Sequence, residues 1–171
     1  MPVDRAMPVD RATPIDGAIP VDRTMPLGRA WIERHIPHQG SMCLLDEVME
    51  WTAQSIRCRA GSHRLADNPL RSQGRLGVAG GIEYAAQAMA AHGALTGGTG
   101  RPESGFIAAL RDVRLHVLRL DDIESDLICE ATLVAGDRGT AMYEFVLWTE
   151  AKQLMSGRAT VVFDANQQLH P

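Results

Sequence analysis

The stretch VAGGIEYAAQAMAAHGAL, residues 78–95, carries a single carboxylate, Glu83, among apolar and small residues. Its spacing predicts a helix with Glu83 in the first turn, where free backbone N–H groups and the helix dipole favour negative charge. Helix capping is therefore one reading. The other is chemical: Gly77, Gly80 and Gly81 just before it let a second backbone or an acyl thioester approach closely, and the neighbours are apolar rather than solvated. A carboxylate in such surroundings is a candidate general acid or base, with a raised pKa as its expected signature. Gln87 lies one turn further along the same face, as a surface amide or as a group that orients a ligand or Glu83.

Six histidines offer partners: His35, His38, His63, His92, His116 and His170. None stands in an H-x-x-x-H or H-E-x-x-H arrangement, and Cys43, Cys58 and Cys129 lack C-x-x-C spacing, so no metal site is expected. The cysteines read as reduced packing residues. His35 and His38 flank Pro37 at the end of a short first helix, where packing or capping is the plain role. His63 ends the second strand and could face the start of the main helix; a polar loop contact is the alternative. His92, near the helix C-terminus, suits the dipole. No serine nucleophile elbow, phosphate loop or dinucleotide fingerprint is present, because the glycine-rich LTGGTGRPESG follows a helix rather than preceding one. No cofactor is expected.

The elements that must position these groups follow from periodicity. After WIERHIPHQG, a short helix or turn, the segments MCLLDEVMEW and QSIRCRAGSH read as two strands joined near residues 51–54. The helix over residues 79–95 comes next, with Ile82, Ala85, Ala86, Met89 and Ala90 as its apolar positions. Four β-segments complete the chain: SGFIAALRDVRLHVL, ESDLICEATLVAG, TAMYEFVLWTE and LMSGRATVVFDA, with a tight turn at residues 136–139. Tyr143, Phe145 and Leu147 alternate with Glu144, Val146 and Trp148, the pattern of a sheet with one face on a helix. One long antiparallel β-sheet wrapped around one central α-helix, an α+β fold, satisfies this order with a single core.

The chain has 171 residues, 45% hydrophobic and 22% charged, and a formal net charge of −4. That composition suits one domain and offers no basic surface for nucleic acid. No apolar run is long enough to span a membrane, and the N-terminus lacks the apolar centre of a signal peptide, so a cytoplasmic location is expected. Residues 1–30 read as five copies of a hexamer, MPVDRA to MPLGRA, with proline recurring every six residues. Such a segment is expected to be a disordered tail, with 31–171 as the folded domain; a hexapeptide β-helix is the structured alternative. Translation of a tandem DNA repeat, with a native start at Met7 or Met25, is a further reading. No catalytic residue is expected before Trp31.

Together, IPHQGSMCLLDEVMEW, DNPLRSQGRLGVAGGIEYAAQAMAAHGAL and GFIAALRDVRLHVLRLDDIESDLICEATLV resemble the β-hydroxyacyl-acyl-carrier-protein dehydratases of the hot-dog fold, over about residues 32–163. The family's opening, L-P-H-x-x-P-x-L-L-V-D-x-V, is matched by Ile36, Pro37, His38, Met42, Leu44, Leu45, Asp46 and Val48. Its helix pattern E-A-x-A-Q is matched by Glu83, Ala86 and Gln87, with Ala85 spaced slightly differently. Leu120-Asp121-Asp122 stands where the family has a P-G-D turn. The likeness is greatest to the dehydratase-type protein of aryl polyene pigment clusters.

The resemblance implies loss of water from a β-hydroxyacyl thioester on acyl carrier protein, with a trans-2-enoyl thioester as product. In the family a histidine from a loop before the helix works with a helix Glu or Asp of the paired subunit. That histidine belongs to a Q-G-H-F-P sequence, which here reads Gln73-Gly74-Arg75-Leu76-Gly77. Arg75 cannot exchange a proton near neutrality. It either attracts a phosphopantetheine or a carrier-protein acid, or is a solvated loop residue. Two arrangements follow: a homodimer in which His38 or His63 has taken over, or a heterodimer in which a second hot-dog subunit supplies the histidine. The second is favoured here, because Glu83 is kept in context while its usual partner is gone. Gly80, Gly81, Gln87 and Arg75 are the candidate substrate-binding residues. A hot-dog thioesterase and a non-catalytic dehydratase subunit are the competing functions.

Overall fold

Alternation is what builds the sheet. The computed structural model describes residues 26–97 and 105–163. Along strand β6 (Thr140–Trp148), Ala141, Tyr143, Phe145 and Leu147 are buried while Met142 and Glu144 are exposed, so one face is committed to a core and the other to solvent. The other strands are β1 (Leu27–Gly28), β2 (Glu47–Trp51), β3 (Ser55–Ala60), β4 (Gly105–Leu115), β5 (Leu127–Gly136) and β7 (Gln153–Phe163). They form one seven-stranded antiparallel sheet in the order β1-β2-β3-β5-β6-β7-β4. The predicted turn between β5 and β6 is closed by Asp137, whose Oδ1 accepts the N–H groups of Gly139 and Thr140, each at 2.9 Å.

Two helices complete the described residues: α1 (Arg29–His35) and α2 (Gly81–Thr96), the latter preceded by a 3₁₀ turn at Val78–Gly80. The sheet wraps α2. Its buried residues are Gly81, Tyr84, Ala85, Gln87, Ala88, Met89, Ala91 and His92; of the apolar positions that periodicity picked, Ala85 and Met89 are among them, while Ile82, Ala86 and Ala90 are only half-buried. Alanine on nearly every face leaves little apolar contrast along this helix, and the sheet takes the side that also carries Tyr84 and His92. Both polar groups are satisfied there. Tyr84 Oη meets Ser62 Oγ at 2.8 Å and accepts from Asn68 Nδ2 at 3.1 Å.

The ordered elements start earlier than residue 31. Leu27 and Gly28 pair with Val48 and Glu47, and α1 begins at Arg29, so the last hexamer feeds directly into the sheet edge. Residues 1–25 of the expected tail lie outside the described residues, as does 98–104 of the glycine-rich connection. Cys43, Cys58 and Cys129 are buried free thiols.

Candidate active site

A short loop carries His38 onto the first turn of α2. Helix α1 stops at Ile36, whose N–H still reaches the Ile32 carbonyl at 3.0 Å while its side chain is buried in the core. Pro37 cannot continue the helix. Gly40, at φ +57°, turns the chain into a 3₁₀ turn, Gly40–Met42, a conformation open to glycine at little cost. The end of this loop is held on α2 by Gln87, which is fully buried. Gln87 Oε1 accepts the Leu44 N–H at 2.8 Å, and Nε2 donates to the Met42 carbonyl at 2.7 Å. These two backbone groups fix which way the amide faces. Its second N–H then points to Glu83 Oε1, at 3.1 Å.

The same oxygen receives His38: Nε2 lies 2.9 Å from Glu83 Oε1. Against the ionised carboxylate, which only accepts, Nε2 carries the hydrogen. Nδ1 is buried and has no partner. Burial pushes the Glu83 carboxyl up, but the hydrogen bonds from His38 and Gln87 and the His38 charge outweigh it, and the net direction is down. The raised pKa expected from the sequence is thus corrected: apolar neighbours were visible there and the two donors were not. Capping does not explain Glu83 either. No side-chain hydrogen bond caps the start of α2, and the bonds of the Glu83 carboxylate go to His38 and Gln87.

A cavity of about 300 Å³ opens beside this pair. Pro37, His38 and Glu83 lie along it, and Ala86, Ala90 and Ala94 form its helix side. Opposite them stand Phe106 of β4, Tyr143 of β6 and Phe163 of β7. Ala86, Met89 and Ala90, three of the helix positions that the sequence marked as apolar, thus face this cavity. None of the three aromatics stood out in the sequence as more than a sheet residue. Strand alternation was the sole available signal, and it does not say what a buried face is buried against.

The structure separates the remaining candidates from the pair. His63 is fully buried in a 3₁₀ turn, Ser62–Arg64, and does not line the cavity. Its Nε2 donates to the Ile123 carbonyl at 3.0 Å, and burial pushes its pKa down; it braces the loop before β5. Arg75 is exposed in a two-residue turn with Gln73 at φ 51° and Gly74 at φ 74°. Reciprocal bonds between Ser72 and Arg75 close that turn, and the arginine does not line the cavity. Gly80 and Gly81 serve packing: a Cβ on Gly81 would lie 2.9 Å from Leu147 Cδ2, and one on Gly80 2.8 Å from Leu76 Cδ1. The close approach they permit is to the protein's own core. Gln87 has its polar atoms occupied and orients Glu83 rather than facing the cavity.

Among the described residues, no group of three or more His, Cys, Asp or Glu side chains gathers as metal ligands would. No described helix is long and apolar enough to cross a membrane.

Comparison with known proteins agrees with this architecture. The family model described as ApeP-like, ApeP dehydratase, matches residues 30–170. Curated protein sequences gave no match. Among solved structures, the chain is similar to the ApeI:P dehydratase heterocomplex of Xenorhabdus doucetiae, with TM-score 0.70 and 22% identity over 86% of this chain and 96% of that one. It is also similar to a thioesterase of Haemophilus influenzae, TM-score 0.53 and 14% identity over 73% and 82% of the two chains. A mutant thioesterase of Pseudomonas aeruginosa gives TM-score 0.51 and 13% identity over 68% and 79%. At these identities the likeness is one of fold, the hot-dog fold.

Proposed function

The chain belongs to the ApeP-like dehydratase family, and from that premise we propose that it removes water from a 3-hydroxyacyl thioester on acyl carrier protein, giving the trans-2-enoyl thioester in aryl polyene synthesis. The observation that carries this is the 2.9 Å contact between His38 and Glu83 beside an apolar cavity. Dehydration needs a base for the α-proton and an acid for the departing hydroxyl. The two groups serve if they share one proton. In the reacting form that proton is on Glu83 and His38 Nε2 is free: Nε2 takes the proton from Cα, the electron pair of that C–H bond becomes the Cα=Cβ π bond, and the Cβ–O bond breaks as Glu83 protonates the oxygen. Water and enoyl thioester leave, and the proton now on His38 returns to Glu83 across their contact. The start of α2 lies next to Glu83, and its dipole favours the negative charge that develops on the thioester oxygen.

Both members of the pair come from this chain. That supports the arrangement in which His38 has taken over from the residue replaced by Arg75. A second hot-dog subunit has another use. β4 is the last strand of the sheet, and Phe106, Leu110 and Leu115 on it are exposed, with Phe106 also lining the cavity. A partner subunit seated on β4 would cover these residues and close the acyl cavity from that side.

Intact-mass analysis of 3-hydroxyacyl carrier protein incubated with the full chain, alone and with a second hot-dog subunit from the same gene neighbourhood, tests this reading. Loss of one water is expected. Free carrier-protein thiol would identify a thioesterase instead, and an unchanged substrate with both preparations would overturn the proposal.

A further inference from the structure

The cavity follows α2 from Glu83 to Ala94, about 16 Å of helix axis, and the strand register gives the order of the residues on its other side. Leu147 and Met155, paired with each other, lie against Gly81 at the start of α2. From that level β6 runs back to Tyr143, paired with Ala159, and then to Ala141, paired with Val161. Val161 is paired in turn with Ile107, and Phe163 with Gly105. Phe163 therefore stands four residues beyond the level of Tyr143, about 13 Å along the strand. Among the described residues that line the cavity, Gly105 and Phe163 are the furthest from Glu83 along the strands.

That end is built as a ring over a glycine. A Cβ on Gly105 would lie 3.0 Å from Val161 Cγ1 and 3.3 Å from Phe163 Cδ1. The Phe163 ring thus takes the space that a side chain at position 105 would fill, a use of glycine opposite an aromatic residue that strand pairs allow. Val161 stands beside the ring, and the Phe163 N–H donates to the Gly139 carbonyl at 3.0 Å, which ties the backbone here to the β5–β6 turn. On the helix side the last lining residues are Gly93 and Ala94, with too little side chain to stop a chain. Phe163 is the large side chain at this level, and it is half-buried against the core.

We infer that Phe163, seated across Gly105, closes the far end of the acyl cavity and sets the longest acyl chain the protein accepts. This rests on the acyl-thioester reading above. It is tested on the full chain, in the oligomer in which it purifies, by calorimetric titration with S-alkyl pantetheine thioethers of increasing length, which bind but do not react. Wild-type affinity should rise with each added carbon and then stop. Phe163→Ala should move the stop to longer chains and tighten binding of the first over-long homologue by about tenfold or more, the scale on which a pocket senses a methylene. Phe163→Trp and Gly105→Ala add bulk at the same level and should move the stop to shorter chains. Should Phe163→Ala fail to fold, Phe163→Leu is the milder variant and should move the stop in the same direction by less. A stop that stays in place in these variants, a loss of affinity equal at every chain length, or no binding of any homologue overturns the cap. A stop that moves as expected in a protein that dehydrates no substrate would leave the cap standing and overturn the reaction instead.

Discussion

Replacing Gln87 by leucine separates the site's architecture from its chemistry. Leucine is close to glutamine in size, so the packing between α2 and the 42–44 loop is largely kept while three hydrogen bonds vanish. The Leu44 N–H, buried and bonded to Gln87 Oε1 at 2.8 Å, is left without an acceptor, which costs about 1–3 kcal/mol. The Met42 carbonyl, 2.7 Å from Nε2 and only part-buried, finds water more easily and adds less. The sum is ~2–4 kcal/mol, a large share of the ~5–15 kcal/mol that holds a domain of this kind together. Urea unfolding should show it as a lower midpoint at unchanged slope. Glu83 also loses one of the two donors that hold its carboxyl down, so the acid limb of the pH–rate profile should move to higher pH. A stability loss below about 0.5 kcal/mol, the range of an ordinary surface change, would refute the clamp.

Arg75→Ala should leave both stability and turnover within the range of a surface substitution, about 0.5 kcal/mol; a selective loss of activity would return the arginine to the site. His63→Leu should lower the urea midpoint, because the Ile123 carbonyl loses its donor, while dehydration per folded molecule stays unchanged. Burial depresses the pKa of His63 and His92 below the ordinary 6.5, so below that pH the unfolded chain binds protons that the folded chain does not. Stability should fall as pH drops from about 6.5, and the Glu83 contribution, present above the ordinary 4.5, should be lost further down. Urea midpoints compared between pH 7 and 5 in wild type and His63→Leu measure the first of these effects.

The strands and the main helix were legible because each follows a local rule. Tyr143, Phe145 and Leu147 alternate with polar neighbours, Asp137 and Gly139 make a tight turn, and glycines bracket α2. Strand β1 was not legible: two residues, Leu27 and Gly28, carry no period and are strand only because β2 lies beside them. Within the site, Glu83 stood out by being the one carboxylate in an apolar stretch. Its partner was one of two candidates, His38 and His63, that sequence could not choose between, since His38 is brought to Glu83 by a loop whose path depends on a buried amide far along the chain. Gly80 and Gly81 were read as room for a second backbone or an acyl thioester, but room in sequence is indifferent to what fills it, and here the side chains of Leu76 and Leu147 do. Tyr143 and His92, whose Oη and Nδ1 lie 2.9 Å apart, could not be joined from sequence, because nothing local says that a strand hydroxyl and a helix imidazole face one another.

The central claim is that His38 and Glu83 of one chain act as a unit. It is tested most directly by the dehydration rate of the same 3-hydroxyacyl carrier protein with His38→Ala, Glu83→Gln and the double variant, each checked for intact folding. Either single change should reduce turnover by about 10²–10⁴-fold, the usual worth of a positioned acid or base, and the double variant should be no slower than the worse of the two, as expected when two groups share one proton. A His38→Ala chain that still dehydrates at the wild-type rate would contradict the account and return the base to a partner subunit.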